Sequence, residues 1–215
     1  LIGERVVIMP ILPCLLCSAC LGGRANLCER GEAIGRTHRG AFAEYVDAPI
    51  ENLTEIGESG KGGAYVLADS LATCLHAEYL AGNPRGSTNL VIGDGIIAAL
   101  LAWHLHLLGR TVLVKGIHAP QLAFLEQFGI STTTGEVPIG AFDRVYETVG
   151  RAQENTMHDC VRAVHRNGYI VVIGVYAIGY ELPIAPRTLF IKEGGLKGSN
   201  AFLPPEFSEA VTLIG

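Results

Sequence analysis

Four cysteines near the start of the chain are the residues best suited to bind a ligand. They share the spacing C-x2-C-x2-C-x7-C and are Cys14, Cys17, Cys20 and Cys28. Four thiolates that converge from so short a segment can bind one tetrahedral Zn2+, with metal–sulfur distances of about 2.3 Å. Because every ligand would be a protein sulfur, no coordination position remains for water or substrate. The spacing therefore predicts a zinc site with a structural role.

Two disulfide bonds are the alternative use of these cysteines. Disulfide-stapled scaffolds are small and secreted, whereas this chain has 215 residues, 49% of them hydrophobic, and only 6 cysteines. The short Cys-x2-Cys spacing also suits a metal chelate better than an unstrained disulfide. The composition favours zinc and a reducing, cytoplasmic location.

A glycine-rich turn, Gly93-Asp-Gly-Ile-Ile-Ala98, is the second candidate site. In this G-x-G-x-x-A motif Gly93 permits a tight turn, Gly95 lets a pyrophosphate approach the backbone, and Ala98 lets the helix pack on the strand. The N-terminus of the helix that follows, with Gly95 and Ile96 in its first turn, would offer free N–H groups to the phosphates. An apolar strand precedes the motif and a long apolar helix follows it, and this context predicts dinucleotide binding. A glycine turn that binds no nucleotide is the alternative.

The residues after the second strand bear on the choice of dinucleotide. An Asp or Glu about 20 residues beyond the turn would bind the ribose 2′-hydroxyl and favour NAD. This chain has Lys115-Gly-Ile-His118 there and no carboxylate. Lys115 or His118 could offer positive charge to a 2′-phosphate, which favours NADP slightly over NAD. The alternative is that Lys115 points to solvent and the site accepts either cofactor.

The order of apolar segments predicts two domains of different architecture. Residues 1–66 contain strands and loops, with strands expected at 5–9 and 40–46 and a surface loop at 51–63. Residues 67–215 alternate between strands and helices, which predicts an α/β domain with a doubly wound parallel sheet of the Rossmann type. The strands expected there are 89–92, 111–114, 143–148, 169–173 and 195–199, and the helices are 69–80, 95–108, 121–128 and 155–165.

Charge and hydropathy exclude two classes of partner. The net charge is -5, and no run of Lys or Arg is present to form the basic face that nucleic acid requires. The longest apolar stretch, 96–108, is interrupted by His104 and His106 and is too short to span a membrane. A small-molecule ligand is the remaining expectation.

These features resemble the zinc-containing medium-chain alcohol dehydrogenase family, with the sorbitol and threonine dehydrogenase branch nearest. The segments that carry the resemblance, beside the cysteines and the glycine turn, are GERVVI (3–8), NLC (26–28), GAFAEYV (40–46), ADSLATCLH (68–76), DRVYETVG (143–150) and GYIVVIG (168–174). The resemblance implies a partial GroES-like catalytic domain in 1–66 and a Rossmann domain in 67–215. It also implies hydride transfer between nicotinamide and a secondary alcohol, polyol or hydroxy amino acid, and a homodimer or homotetramer.

The departures from the family concern the catalytic metal. In the family, a second zinc held by a Cys and a His-Glu pair from a region ahead of the cysteine lobe polarises the alcohol. This chain begins after that region and ends before the Rossmann domain is complete, so we expect a fragment without turnover of its own. Asp69 matches a position at which the family places a zinc ligand, and a helix N-cap is its alternative role. A non-catalytic dinucleotide-binding or zinc-lobed interaction module is the alternative function.

The remaining reactive side chains are expected to have structural roles. Core or surface positions are predicted for the histidines and cysteines in helical patterns, which are His76, His104, His106, Cys74 and Cys160. Three basic residues before the segment 40–46 are candidates to border a substrate cleft, with a solvated loop as the alternative; they are Arg36, His38 and Arg39.

Overall fold

The computed structural model describes residues 2–57, 62–150, 154–181, 184 and 186–215. It divides into two compact units, the first formed by Leu1–His76 with Asn200–Gly215 and the second by Ala77–Ser199. This division lies at a different place from the domain boundary expected between residues 66 and 67. The assignment of 1–66 and 67–215 to separate domains stays a prediction.

The first unit is built from short strands and turns around the cysteine segment. Strand β1 (Val6–Ile8) pairs antiparallel with β4 (Leu53–Glu55), and β2 (Ile11–Leu12) with β3 (Glu32–Ala33). The short helix α1 and three 3-10 helices lie in the connections, at Ser18–Leu21, Ala25–Leu27, Ile50–Asn52 and Gly62–Leu67. Such short strands leave much of the backbone to side-chain hydrogen bonds. The buried Asn52 amide, for example, donates to the carbonyls of Met9 and Ile11 at 2.7 and 2.8 Å.

The strand predicted at 40–46 is wrong. Apolar and polar residues alternate there, but no strand of the described residues pairs with the segment, and an unpaired strand is not stable in water. Phe42 and Tyr45 are consequently exposed. The loop predicted at 51–63 is partly wrong, because β4 lies within it and pairs with β1. Residues 58–61 of that loop lie outside the described residues.

The second unit contains a six-stranded parallel sheet in the order β10-β9-β8-β5-β6-β7. Its strands are β5 (Thr88–Ile92), β6 (Thr111–Lys115), β7 (Ser131–Thr133), β8 (Phe142–Glu147), β9 (Val164–Val172) and β10 (Gly195–Gly198). The longer helices of the chain are α2 (Ala68–Ala81), α3 (Ile96–Leu107), α4 (Ala119–Glu126), α5 (Glu154–Ala163), α6 (Pro186–Lys192) and α7 (Pro204–Ile214), of which α7 belongs to the first unit. This strand order is that of a Rossmann sheet and confirms the expected doubly wound fold.

The sheet of the second unit is covered on both faces. Successive strand residues point to opposite faces, and Leu90, Val91 and Ile92 are all at most 3% exposed. Helix α3 packs on β5 and β6, and α5 packs on β8 and β9. Among the described residues, no helix has the length and apolarity needed to cross a bilayer.

The strand order reverses direction at the centre of this sheet. Chain order runs outward from β5 through β6 to β7 on one side and from β8 through β9 to β10 on the other. A crevice opens at such a switch point, outside the carboxyl ends of the two central strands. The glycine turn follows β5 directly, and Thr148 follows β8, so the fold places both at this crevice.

Candidate functional site

The four cysteines of the first unit converge on one point. Their sulfur atoms all lie within 4.8 Å of one another, and Cys17 Sγ lies 3.5 Å from Cys20 Sγ and 3.8 Å from Cys28 Sγ. A tetrahedral zinc with bonds of 2.3 Å separates its sulfur ligands by about 3.8 Å. All six cysteines of the chain are free thiols, and a disulfide would need sulfurs about 2.05 Å apart. The donor set therefore fits a zinc ion.

Local backbone geometry explains the convergence. Leu15 adopts a left-handed conformation with φ +58°, which reverses the chain between the first two cysteines. Helix α1 begins directly after Cys17 and contains Cys20. Residues three apart in a helix lie on the same face, so the sulfurs of Cys17 and Cys20 point to the same side. The 3-10 helix Ala25–Leu27 then returns the chain, and the backbone N–H of Cys28 donates to the carbonyl of Ala25 at 3.1 Å.

The thiols of this cluster differ in acidity. A hydrogen bond from the backbone N–H of Leu16, partly opposed by burial, lowers the pKa of Cys14 to about 6. Desolvation, together with the neighbouring sulfurs, raises the pKa of Cys20 to about 12. Four close thiolates repel one another, so a bound cation is what allows all of them to be deprotonated together. Arg30 Nη2, 3.5 Å from Cys14 Sγ, contributes further positive charge.

A buried polar network lies next to the cysteines in the first unit. His76 Nδ1 donates to Glu206 Oε1 at 2.9 Å, and His76 Nε2 accepts from the Asn26 amide at 3.2 Å. The same amide donates to the carbonyl of Asn200 at 2.8 Å. His76 and Glu206 are 7% and 5% exposed. The expected core role of His76 is confirmed, but its partners are 50 and 130 residues away in sequence and no local pattern indicates them.

The other histidines and cysteines in helical patterns have the placements that were expected. Cys74 and Cys160 are fully buried, His104 is buried, and His106 is exposed on the same helix.

An open cleft of about 460 Å³ lies beside Cys14 in the first unit. Of the three basic residues considered above, only His38 lines it. His38 Nε2 lies 3.0 Å from Asp47 Oδ2, and His38 Nδ1 lies 3.5 Å from Glu32 Oε2. The hydrogen bond with His38 lowers the pKa of Asp47. His38 is thus held between two carboxylates rather than presented to a ligand.

The glycine turn of the second unit has the shape of a phosphate cradle. Gly93 has φ +126°, and a Cβ there would collide with the Thr148 side chain, so glycine is required. Gly95 is the N-cap of α3, and a Cβ at that position would have no heavy atom within 4 Å. Ile96 begins the helix with 54% of its surface exposed, while Ala98 is 1% exposed against the sheet. The open space at Gly95, beside a helix N-terminus, fits a pyrophosphate group.

The two basic residues expected near the ribose are already paired. Lys115 Nζ forms an ion pair with Asp159 of α5, and His118 Nδ1 lies 3.0 Å from Asp94 Oδ1. Both stay candidates for cofactor binding, but each positive or polar group faces a carboxylate of its own unit.

Asp94, which was not among the predicted site residues, is the acidic residue of the glycine turn. Its Oδ2 accepts hydrogen bonds from the backbone N–H groups of Ile117 and His118, both at 2.7 Å. Burial alone would raise the pKa of Asp94, but these hydrogen bonds and the His118 side chain lower it below its usual value. The only sequence signal was an acidic residue between the first two glycines of the motif.

Asp69 is not a helix N-cap. It is the second residue of α2, in the first turn. The residue as a whole is exposed, but the protein around its carboxyl group partly desolvates that group and raises its pKa. The helix begins one residue earlier than expected, which moves Asp69 inside it. Within the part of the chain that the structure describes, the cysteine cluster is the one group of three or more metal-ligating side chains.

Comparisons with known proteins find dehydrogenases that are similar to this chain. A family model described as the alcohol dehydrogenase GroES-like domain matches residues 1–58. The chain is 32% identical over 209 residues to D-altritol 5-dehydrogenase of Agrobacterium fabrum. This alignment covers 93% of the chain and 61% of that protein. The chain is 25% identical over 224 residues to L-galactonate-5-dehydrogenase of Escherichia coli, with 99% of the chain and 64% of that protein covered.

A solved structure described as a zinc-binding dehydrogenase of Sinorhizobium meliloti, bound to NADP, superimposes with a TM-score of 0.89 at 29% identity. The match covers 98% of the chain and 65% of that structure. The chain is thus similar, over nearly its whole length, to zinc-containing alcohol and polyol dehydrogenases. The family resemblance stated from the residues is thereby confirmed, as is the combination of a Rossmann sheet with a GroES-like region. The chain spans less than two thirds of the length of these dehydrogenases.

Proposed function

We propose that this chain forms the structural-zinc lobe and the dinucleotide-binding unit of an NAD(P)-dependent zinc alcohol dehydrogenase. The observation that carries the proposal is the open glycine turn at the switch point of the parallel sheet. Ligands of doubly wound sheets bind at this edge, and the turn combines room for a pyrophosphate with a helix N-terminus.

Each residue of the turn would have a distinct task in binding. Gly93 sets the turn, because a side chain there would meet Thr148. Gly95 leaves the backbone accessible, and the backbone N–H of Ile96, at the N-terminus of α3, donates to a phosphate oxygen. Ala98 keeps α3 close to the sheet, so that this N–H group stays aimed at the crevice. The nicotinamide cofactor, when bound, supplies the hydride chemistry.

The cysteine cluster would bind one Zn2+ and hold the shape of the first unit. Its four sulfurs leave no open coordination position, so a zinc here does not meet substrate. A reducing compartment keeps the four cysteines free of disulfide bonds, and a cytoplasmic location is part of the proposal.

The proposed substrate is a secondary alcohol, with a polyol favoured over a hydroxy amino acid. The similarity to the altritol and galactonate dehydrogenases supports this choice. In the whole protein, Asp69 is the proposed ligand of a catalytic metal. A homodimer or homotetramer is the proposed assembly.

Titration of the purified chain with NADH and with NADPH, followed by nicotinamide fluorescence, tests the proposal. Wild type is expected to bind at least one of them, and Gly95→Val to lose at least tenfold in affinity, because the side chain fills the pyrophosphate space. Gly63→Val is the matched control, since a Cβ at Gly63 also meets no atom within 4 Å but lies in the other unit. Equal binding by wild type and Gly95→Val would contradict the proposal.

A non-catalytic dinucleotide-binding or zinc-lobed module is the second candidate. It is favoured by one observation, namely that the described residues contain no second group of three metal-ligating side chains. An alcohol oxidation assay, run with a panel of polyols and with added Zn2+, separates the two functions. Zinc-dependent turnover at 340 nm supports the dehydrogenase, and cofactor binding without any turnover in the full-length protein supports the module.

A further inference from the structure

The Asp94 carboxylate, which belongs to the glycine turn, fills the space directly after strand β6. Gly116 directly follows β6, near where an acidic side chain would otherwise be expected to bind the ribose. A Cβ on Gly116 would lie 2.5 to 2.9 Å from three atoms of the Asp94 side chain. The Asp94 carboxylate therefore occupies the space that a side chain at position 116 would need, and glycine at 116 leaves room for it.

The Asp94 carboxylate also occupies the donors that an anion would use. The N–H groups of Ile117 and His118 precede helix α4, and both donate to Asp94 Oδ2. A phosphate at this helix N-terminus would need the same donors. The nearby basic side chains do not compensate, because Lys115 is paired with Asp159 and His118 contacts Asp94 itself.

From this arrangement we propose that Asp94 is the residue that selects NAD over NADP. The inference rests on the proposed function, in which a dinucleotide binds at the glycine turn. A 2′-phosphate would lie against an ionised carboxylate, and like charges at such an interface strongly disfavour binding.

A ribose 2′-hydroxyl meets no such penalty. It can donate to Asp94 Oδ1, which His118 Nδ1, on a side chain that is 60% exposed, approaches to 3.0 Å. The same carboxylate thus accepts a hydrogen bond from NAD and repels NADP. This opposes the slight lean to NADP suggested by the residues after β6, and the affinities of the two cofactors decide between them.

Dissociation constants of NADH and NADPH, measured by fluorescence for wild type and variants, test this inference. Asp94→Asn keeps an oxygen that can accept from the two N–H groups but removes the charge. The double variant Asp94→Gly/Gly116→Asp removes every Asp94 side-chain atom that a Cβ at position 116 would meet and returns a carboxylate to the end of β6, where Gly116 has no positive φ to forbid it. Glu136→Gln is the control, since it removes an exposed carboxylate of the same unit, with 89% of that side chain accessible. Circular dichroism verifies that each variant is folded.

Wild type is expected to bind NADH at least tenfold more tightly than NADPH. Asp94→Asn should reduce this ratio about tenfold, mainly by tighter NADPH binding, while the double variant retains the NADH preference and Glu136→Gln leaves the ratio unchanged. If wild type binds NADPH as tightly as NADH, the inference is overturned but the proposed function stays intact. A ratio unaltered in Asp94→Asn would overturn it too, and would reduce Asp94 to a turn-stabilising residue. Binding of neither cofactor would refute the proposed function and this inference together.

Discussion

The two glycines that begin the G-x-G-x-x-A turn are required for different reasons. Gly93 has a positive φ and is pressed against Thr148, whereas Gly95 has φ -78° and open space around it. Gly93→Ala is therefore expected to lower the free energy of unfolding by about 1–3 kcal/mol. Gly95→Ala should change it by less than about 1 kcal/mol. Urea denaturation measures both, and equal losses would show that the turn is not strained at Gly93.

The stability of the second unit is expected to depend on pH through the ionisation of Asp143. Its Oδ2 accepts from the backbone N–H and the hydroxyl of Thr88, both at 2.9 Å. Burial alone would raise the pKa of Asp143, but these hydrogen bonds lower it. The ionised form thus stabilises the fold above the unfolded-state pKa of about 3.9, and this contribution is lost as the pH falls through the lower folded-state pKa.

Asp143→Asn is accordingly expected to flatten the loss of stability below about pH 4, because the variant has no proton to take up at this site. Thermal unfolding at a series of pH values measures the slope, with Glu136→Gln as the control for loss of an exposed carboxylate. A variant that loses stability with acid as steeply as wild type would show that Asp143 does not contribute.

At the scale of elements, the buried pair His76–Glu206 joins α2 to α7 within the first unit. Glu206 also accepts from the backbone N–H of Leu203 at 2.6 Å, at the start of α7. Glu206→Ala leaves a buried imidazole and this N–H without their partner, and is expected to cost about 3 kcal/mol. Ser208→Ala, on the exposed side of the same helix, should cost less than about 1 kcal/mol. Denaturant unfolding distinguishes them, and similar losses would contradict the role of the pair.

Most elements of the second unit could be predicted because each has a clear local pattern, although the short strand β7 and helix α6 were missed. Apolar runs such as that in β5 alternate with apolar helices, and a parallel sheet needs such crossovers. The segment 40–46 has an equally clear alternation, yet it is not a strand, because a strand depends on a partner that local sequence does not reveal. For the same reason, the segment alone could not show that Phe42 and Tyr45 are exposed.

The same contrast holds for the candidate sites. The cysteine cluster spans few residues, so its spacing alone indicates a common ligand. The hydrogen bonds of His76 and the contact of Asp94 with the backbone after β6 join residues that are distant in sequence. The glycine turn, Lys115 and His118 could therefore be named as candidates from local sequence, whereas the hydrogen bonds of Asp94 with the backbone after β6 could not.

At the scale of the whole molecule, metal binding and dinucleotide binding are assigned to different compact units. The four cysteines belong to the first unit, and the residues of the glycine turn belong to the second. Removal of zinc by a chelator under reducing conditions is expected to lower the thermal stability of the first unit. The affinity for the nicotinamide cofactor should change by less than about threefold, because the cysteines and the glycine turn belong to different compact units. A parallel loss of both would contradict this separation.

The content of zinc per chain tests the central claim most directly. Elemental analysis of protein purified without chelators and with thiols reduced should find about one zinc per chain. Cys28→Ser should lose that zinc, while Cys160→Ala, which changes a buried thiol of the second unit, should retain it. A wild-type ratio near zero, or a Cys28→Ser variant that keeps its zinc, would contradict the assignment of the four-cysteine cluster as the structural metal site of a zinc alcohol dehydrogenase.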